Sequence, residues 1–266
     1  MQEYVNTDRQ LHWLSQIIAK VNHTYVPVKK DDSHTNLFFD TVGNRLFGRW
    51  INTPKGKFIL ALNLNTLCFE WLDNKLSVKT SISVFDKEGP SIEKEIWEYP
   101  VSIGMSSKDI SKPLHFEIPD YGFAMIKADE ISSSGVEKWG YYRELANSAC
   151  FSLSGYLQSE SEIRIWPHHF DTGIYIQITD SLGFGFGWAM EDSMVGEPYF
   201  YLSGYKKPPP IKYENLSKLS VGGWVTGEHW NGAVLPLHIL VDYSPAKASE
   251  NINTYIKESI DWFLNL

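Results

Sequence analysis

Two amphipathic helical segments, each running directly into a series of period-two segments, restrict this chain to mixed α and β folds. In the first, Thr7 and Gln10 have capping-box spacing, and Leu11, Leu14, Ile17, Ile18 and Val21 form one apolar stripe. From about residue 34 the period falls to two: HTNLFFD, RLFGRWI, KFILALNL and TLCFEWL read as consecutive strands. Asp73-Asn74 suits a hairpin turn into KLSVKTSISV. There Leu76, Val78, Ile82 and Val84 alternate with Ser77, Lys79, Ser81 and Ser83, as in a sheet with one face on a core and one in water. A short helix around IEKEIWEY follows, then an irregular, proline-punctuated stretch to about residue 133.

The order then begins again. Ser134 and Glu137 repeat the capping spacing, and Trp139, Tyr142, Leu145, Ala146, Ala149 and Leu153 supply a second stripe. SEIRIW, TGIYIQIT, SLGFGFGWAM and EPYFYLSGY read as strands. A late strand, GAVLPLHILVDY, leads into a terminal helix from about Asn251 with Ile252, Ile256, Ile260 and Phe263 on one side. The expected fold is α+β with two similar halves, residues 1–133 and 134–266. Each half is a capped helix, an antiparallel meander and a closing helix, with helices covering the packed sheets. Internal duplication accounts for this order, as does coincidence between two unrelated helix-plus-sheet stretches. The halves together make one compact unit. The segment KKPPPIKYENLSKLSVGG, with three successive prolines, is a surface excursion.

Bulk properties narrow the function classes. With a formal net charge of −8 and no basic stripe, the chain is a poor partner for a phosphate backbone. No positively charged segment leads into an apolar run at the start, and runs such as FILAL are far short of a membrane span. Cys68 and Cys150 sit in apolar stretches and read as reduced thiols, so a cytoplasmic location is expected. Ten tryptophans among 266 residues mean either a thick core or an aromatic-lined pocket.

The stretch IWPHHFDTG, residues 165–173, is the first candidate for chemistry. Pro167 biases Trp166 towards extended backbone. In extended chain His168 and His169 diverge, whereas His169 and Asp171 share a face about 7 Å apart. His115, His229 and His238 are distant candidates for further ligands, but there is no HExxH and no CxxC, so no metal site is assigned. No cofactor motif or GxSxG nucleophile elbow is present. His169 with Asp171 could serve as a base and its orienting carboxylate, or the three polar residues could tie strand ends to loops. In SLGFGFGWAM, Gly183, Gly185 and Gly187 form a ladder on one face, opposite Phe184, Phe186 and Trp188. A ladder like this admits a close-packed neighbour or a ligand. Beyond it, Glu191, Asp192 and Glu197 stand beside Tyr199, Phe200 and Tyr201, a mixture suited to sugars or cations and equally to a plain loop entering a strand.

Taken in order, the LHWLSQIIAKV helix, the RIWPHHFDTGIYI strand, the EPYFYLSGY strand and the closing helix resemble an uncharacterised bacterial family of unknown function. The resemblance implies a soluble bacterial protein and supplies no activity. In that family Phe170-Asp171 looks steadier than the histidines before it.

The expected function is binding of a small polar or aromatic molecule in a pocket lined by Trp166, His168, His169, Asp171, Trp188, Glu197 and Tyr199. The alternatives are a protein-interaction or self-associating module, and a hydrolase or isomerase using His169 and Asp171. A homo-oligomer is compatible with each.

Overall fold

A computed structural model describes residues 1–108 and 112–266; residues 109–111, inside the irregular stretch expected before residue 133, lie outside the described residues. The chain divides into two compact units. The N-terminal unit comprises residues 2–141 and 165–170; the C-terminal unit comprises residues 142–164 and 171–266 together with Met1. The described residues form four helices and two antiparallel six-stranded sheets, a mixed α+β fold.

In the N-terminal unit, α1 (Gln2–Tyr25) buries the whole expected stripe. It begins five residues before the expected capping box. Thr7 and Gln10 are buried mid-helix residues rather than caps. The meander β1 (Phe38–Asp40), β2 (Arg45–Phe47), β4 (Gly56–Asn63), β5 (Cys68–Asp73) and β6 (Val78–Ser83) lies in that order, with β3 (Ile51–Thr53) also paired to β4. The β5–β6 turn is longer than two residues. Asp73 Oδ1 accepts from the amides of Lys75 and Ser77, and Leu76 takes a φ of 59°. Ile82 and Val84 are buried as the alternation requires, but Leu76 and Val78, at the turn end, are exposed. α1 packs on β4, and α2 (Gly89–Ser102), which carries Pro90 in its first turn, packs on β6.

In α3 (Ser133–Tyr156) the cap is also displaced: Ser132 Oγ, not Ser134, accepts an amide hydrogen, from Gly135 at 3.2 Å. The division between the units falls within this helix.

The second sheet runs β11 (Gly223–Thr226), β12 (Asn231–Pro236), β10 (Tyr199–Lys206), β9 (Leu182–Ala189), β8 (Thr172–Gln177) and β7 (Arg164–Ile165). The late strand is shorter than expected. It ends at Pro236, and Leu237–Ile239 form a 3-10 turn. β11 was not foreseen; most of the proline-rich segment before it is exposed loop. α4 (Pro245–Leu264), capped by Ser244, packs on β10 and β12, and the Tyr255 hydroxyl donates to Ala233 O at 2.7 Å. Phe184, Phe186, Trp188 and Phe200 fill the core behind the sheet.

The glycine ladder on the opposite face of β9 is close-packed. A Cβ on Gly183 would meet the Tyr175 hydroxyl, one on Gly185 the Tyr205 ring, and one on Gly187 the Tyr201 hydroxyl and the backbone of β8. The tyrosines project from β8 and β10, the two strands that flank β9, and their rings cover the positions where side chains are missing.

Both cysteines are unbridged, and burial raises the Cys150 thiol pKa well above the ordinary value. Among the described residues no helix is long and apolar enough to cross a membrane.

Candidate functional site

The WPHHFD segment is a turn, which corrects the extended conformation expected from Pro167. The Phe170 amide donates to Trp166 O at 2.6 Å, Phe170 takes a φ of 54°, and the His168 and His169 rings lie 4.4 Å apart instead of diverging. The reason is tertiary. Phe170 is fully buried, stacked on His12 at 5.0 Å and on Trp139 at 5.8 Å, and reaching that position requires the chain to reverse. From α1, His12 Nε2 lies 2.8 Å from Pro167 O, and Gln16 Nε2 donates to the same carbonyl at 2.7 Å. A carbonyl only accepts, so neutral His12 carries its proton on Nε2 and accepts from the Tyr121 hydroxyl at Nδ1. Burial pushes the Tyr121 pKa up to about 12, so that hydroxyl keeps its proton near neutrality.

Facing this turn is the loop of residues 31–36, joined to it by reciprocal backbone hydrogen bonds between Leu37 and Ile165 at 2.9 and 2.7 Å. Asn22, on α1, holds the loop from behind. Its Nδ2 donates to Thr35 O and Asn36 O, each at 3.2 Å, and its Oδ1 accepts from the Arg49 amide at 2.9 Å. Arg49 Nη2 adds a bond to Ser33 O at 2.9 Å. Asp31 Oδ1 accepts from the Ser33 amide, and Asp32 takes a φ of 55°.

The loop, the turn and one further segment enclose a cavity of about 320 Å³. Asp31, Asp32, Thr35 and Asn36 line it from the loop, Trp166 and His168 from the turn, and His115 and Phe116 from the segment after residue 111. Phe116 lies 5.5 Å from the His168 ring, and His115 Nε2 lies 3.3 Å from Asp32 Oδ2. Thr35 and Asn36 are buried, whereas Asp31, Asp32 and His115 are exposed.

The loop also buries polar atoms that have no hydrogen-bond partner: Ser33 Oγ, His34 Nε2 and Asn36 Nδ2. Such atoms are uncommon in folded proteins and are usually met by water or a ligand. His34 Nδ1 accepts from the Lys29 amide at 3.4 Å, which puts its proton on the unpartnered Nε2. Burial lowers the His34 pKa, and His23, 5.7 Å away ring to ring, lowers it further; Asp32 and Asp31 oppose this. A larger cavity of about 500 Å³ nearby is lined by Gln16, Lys20, Glu93 and Phe116 among others, and there Lys20 and Glu93 neutralise each other at 2.5 Å.

Of the residues named from the sequence, Trp166, His168 and His115 line the smaller cavity, and His169 beside them is exposed. The others are placed in the C-terminal unit. Asp171 Oδ2 accepts from the Tyr201 hydroxyl at 2.6 Å, and Asp192 accepts from the Tyr199 hydroxyl at 2.6 Å. Trp188 is fully buried, stacked on Tyr142 at 5.5 Å. Glu197 bonds both the backbone amide and Nδ1 of His238, at 2.7 and 2.6 Å, capping the 3-10 turn. His229 is exposed. Among the described residues no group of three or more His, Cys, Asp or Glu side chains is arranged to hold a metal ion. The strand expected to begin at His34 begins instead at Phe38, and residues 34–36 belong to the loop; the adjacent Asp31-Asp32 pair and the polar run to Asn36 are its signal in the sequence. Comparison with known proteins found no matching family model, no matching curated protein and no matching solved structure.

Proposed function

We propose that this chain binds a small polar molecule with an apolar or aromatic face in the cavity between the loop of residues 31–36 and the Trp166–Phe170 turn. One observation carries the reading: Trp166, Phe116 and His168 border a cavity closed on its other side by a loop whose carbonyls Asn22 and Arg49 hold. The volume of about 320 Å³ is at the small end of ligand sites, and aromatic surface with a few polar groups is their usual lining. A cytoplasmic location goes with this reading, in keeping with two cysteines in apolar stretches.

A thermal-shift screen against sugars, polyols, amines and aromatic acids tests this. A ligand at 100 times its Kd should add about 2.7 kcal/mol of stability, and Trp166→Ala should remove the shift. If no compound raises the melting temperature, or the shift survives in Trp166→Ala, the cavity is not the site.

A further inference from the structure

We infer that the loop of residues 31–36 is an acid-released latch, closed over a neutral His34 ring and opened when that ring takes up a second proton. The inference goes beyond ligand binding and requires no ligand. The latch is a closed turn. The Asp32 amide donates to Lys29 O at 3.1 Å, and the Lys29 amide returns a bond to His34 Nδ1 at 3.4 Å. Thr35 then donates to Asp32 O through both its amide and its hydroxyl, each at 2.9 Å.

A second proton disrupts this turn for geometric reasons. Neutral His34 carries its proton on Nε2, so the incoming one goes to Nδ1, and an imidazolium has only donors to offer. The Lys29 amide then faces a donor where it had an acceptor. The new charge is also poorly placed. His34 is buried, and its Nε2 has no hydrogen-bond partner among the described residues. From α1 the His23 ring stands 5.7 Å away, with its own Nδ1 buried and likewise unpartnered. Arg49 reaches the same loop at Ser33 O, and His115 acts against a positive His34 as His23 does. Asp31 and Asp32 pull the other way, but both are exposed, where solvent screens them. Burying an unpaired charge is costly, so the ring takes its proton as the loop opens to water. Asp31, Asp32, Thr35 and Asn36 also line the neighbouring cavity, so opening removes one of its walls.

Amide hydrogen exchange of the full chain, resolved residue by residue by NMR, tests the latch. Protection factors at Asp32 and Thr35 should fall about threefold or more between pH 7.5 and about 5, while Phe186 in β9 keeps its protection. His34→Gln should abolish the fall. In the unmutated chain the His34 ring signals should titrate over the same range, which keeps the test decisive if the variant fails to fold. The latch is overturned by protection that ignores pH, by a fall that survives His34→Gln, or by a ring that stays neutral while the loop opens. An equal loss at Phe186 overturns it too, because the whole chain is then opening.

Discussion

The tyrosine-covered sheet of the C-terminal unit and the loop-built cavity of the N-terminal unit use the same ingredients, aromatics beside carboxylates, to opposite effect. At the sheet and its ends these groups pair: Tyr201 donates to Asp171, Tyr199 to Asp192, and His238 to Glu197. The tyrosine rings also occupy the spaces that Gly183, Gly185 and Gly187 leave. In the cavity, Trp166 and Phe116 border open space. Regular strands repeat one face every two residues, so neighbouring strands can supply complementary side chains along a whole row. A loop pinned through its carbonyls by Asn22 and Arg49 holds its side chains apart instead. Aromatic and acidic composition therefore does not mark a site. Open space bordered by aromatic rings does.

The comparison breaks first at the glycines. A Cβ on Gly187 would sit 2.4 Å from Thr172 O and 2.8 Å from the Gly173 Cα, both backbone atoms, so Gly187→Ala should cost roughly 3 kcal/mol. At Gly183 the obstacle is the end of the Tyr175 side chain, which is 47% exposed and can swing away, so Gly183→Ala should cost less than about 1 kcal/mol. Urea denaturation of the two variants measures the difference. Equal and small costs would mean the ladder is not packed against β8, and would return it to the list of ligand surfaces.

The cavity's rigidity is the next test. Asn22→Ala leaves two loop carbonyls and the Arg49 amide without their partner, at a cost of about 2–3 kcal/mol by the same denaturation measurement. Ligand-induced shifts in melting temperature should disappear with it. A variant that loses this stability yet binds normally would show that the loop needs no anchoring.

What the sequence made legible follows the same division. Stripes such as Leu11–Val21 and Trp139–Leu153, and alternations such as Ile82–Val84, are local patterns, and the structure buries them as expected. Their ends were less legible: α1 starts ahead of Thr7, and α4 starts at Pro245 rather than near Asn251. The Trp166–Phe170 turn was misread because its cause is distant. The Phe170 ring stacks on His12, and the Pro167 carbonyl is held by His12 and Gln16, more than a hundred residues earlier in the chain. A local bias from Pro167 could not reveal that. The period-two reading that begins at His34 starts too early, because residues 34–36 take the shape that Asn22 and Arg49 impose through the loop carbonyls.

The buried histidine of the cavity loop sharpens the comparison through pH. Unfolded His34 gains its proton near pH 6.5, whereas burial and His23 depress its folded pKa against the pull of Asp32 and Asp31. Between the folded and unfolded values the unfolded chain holds more protons, so stability is complete above about pH 6.5 and falls as the pH drops through that window. Melting temperatures measured from pH 7.5 down to about 5 should show this slope, and His34→Gln should flatten it. An unchanged slope in the variant would assign the titration elsewhere.

The smallest effect belongs to the residue that looked most catalytic. His169 is exposed and stacks only loosely on His168, whereas Asp171 holds the Tyr201 hydroxyl. His169→Ala should change stability by less than about 0.5 kcal/mol, as an exposed substitution away from buried networks does. It should also leave ligand-induced thermal shifts intact, because His168, not His169, lines the cavity. A loss of binding in His169→Ala would mean that the turn presents both rings to the ligand. Of two adjacent imidazoles with identical intrinsic chemistry, the one that lines the cavity is then expected to matter, and the one exposed to water is not.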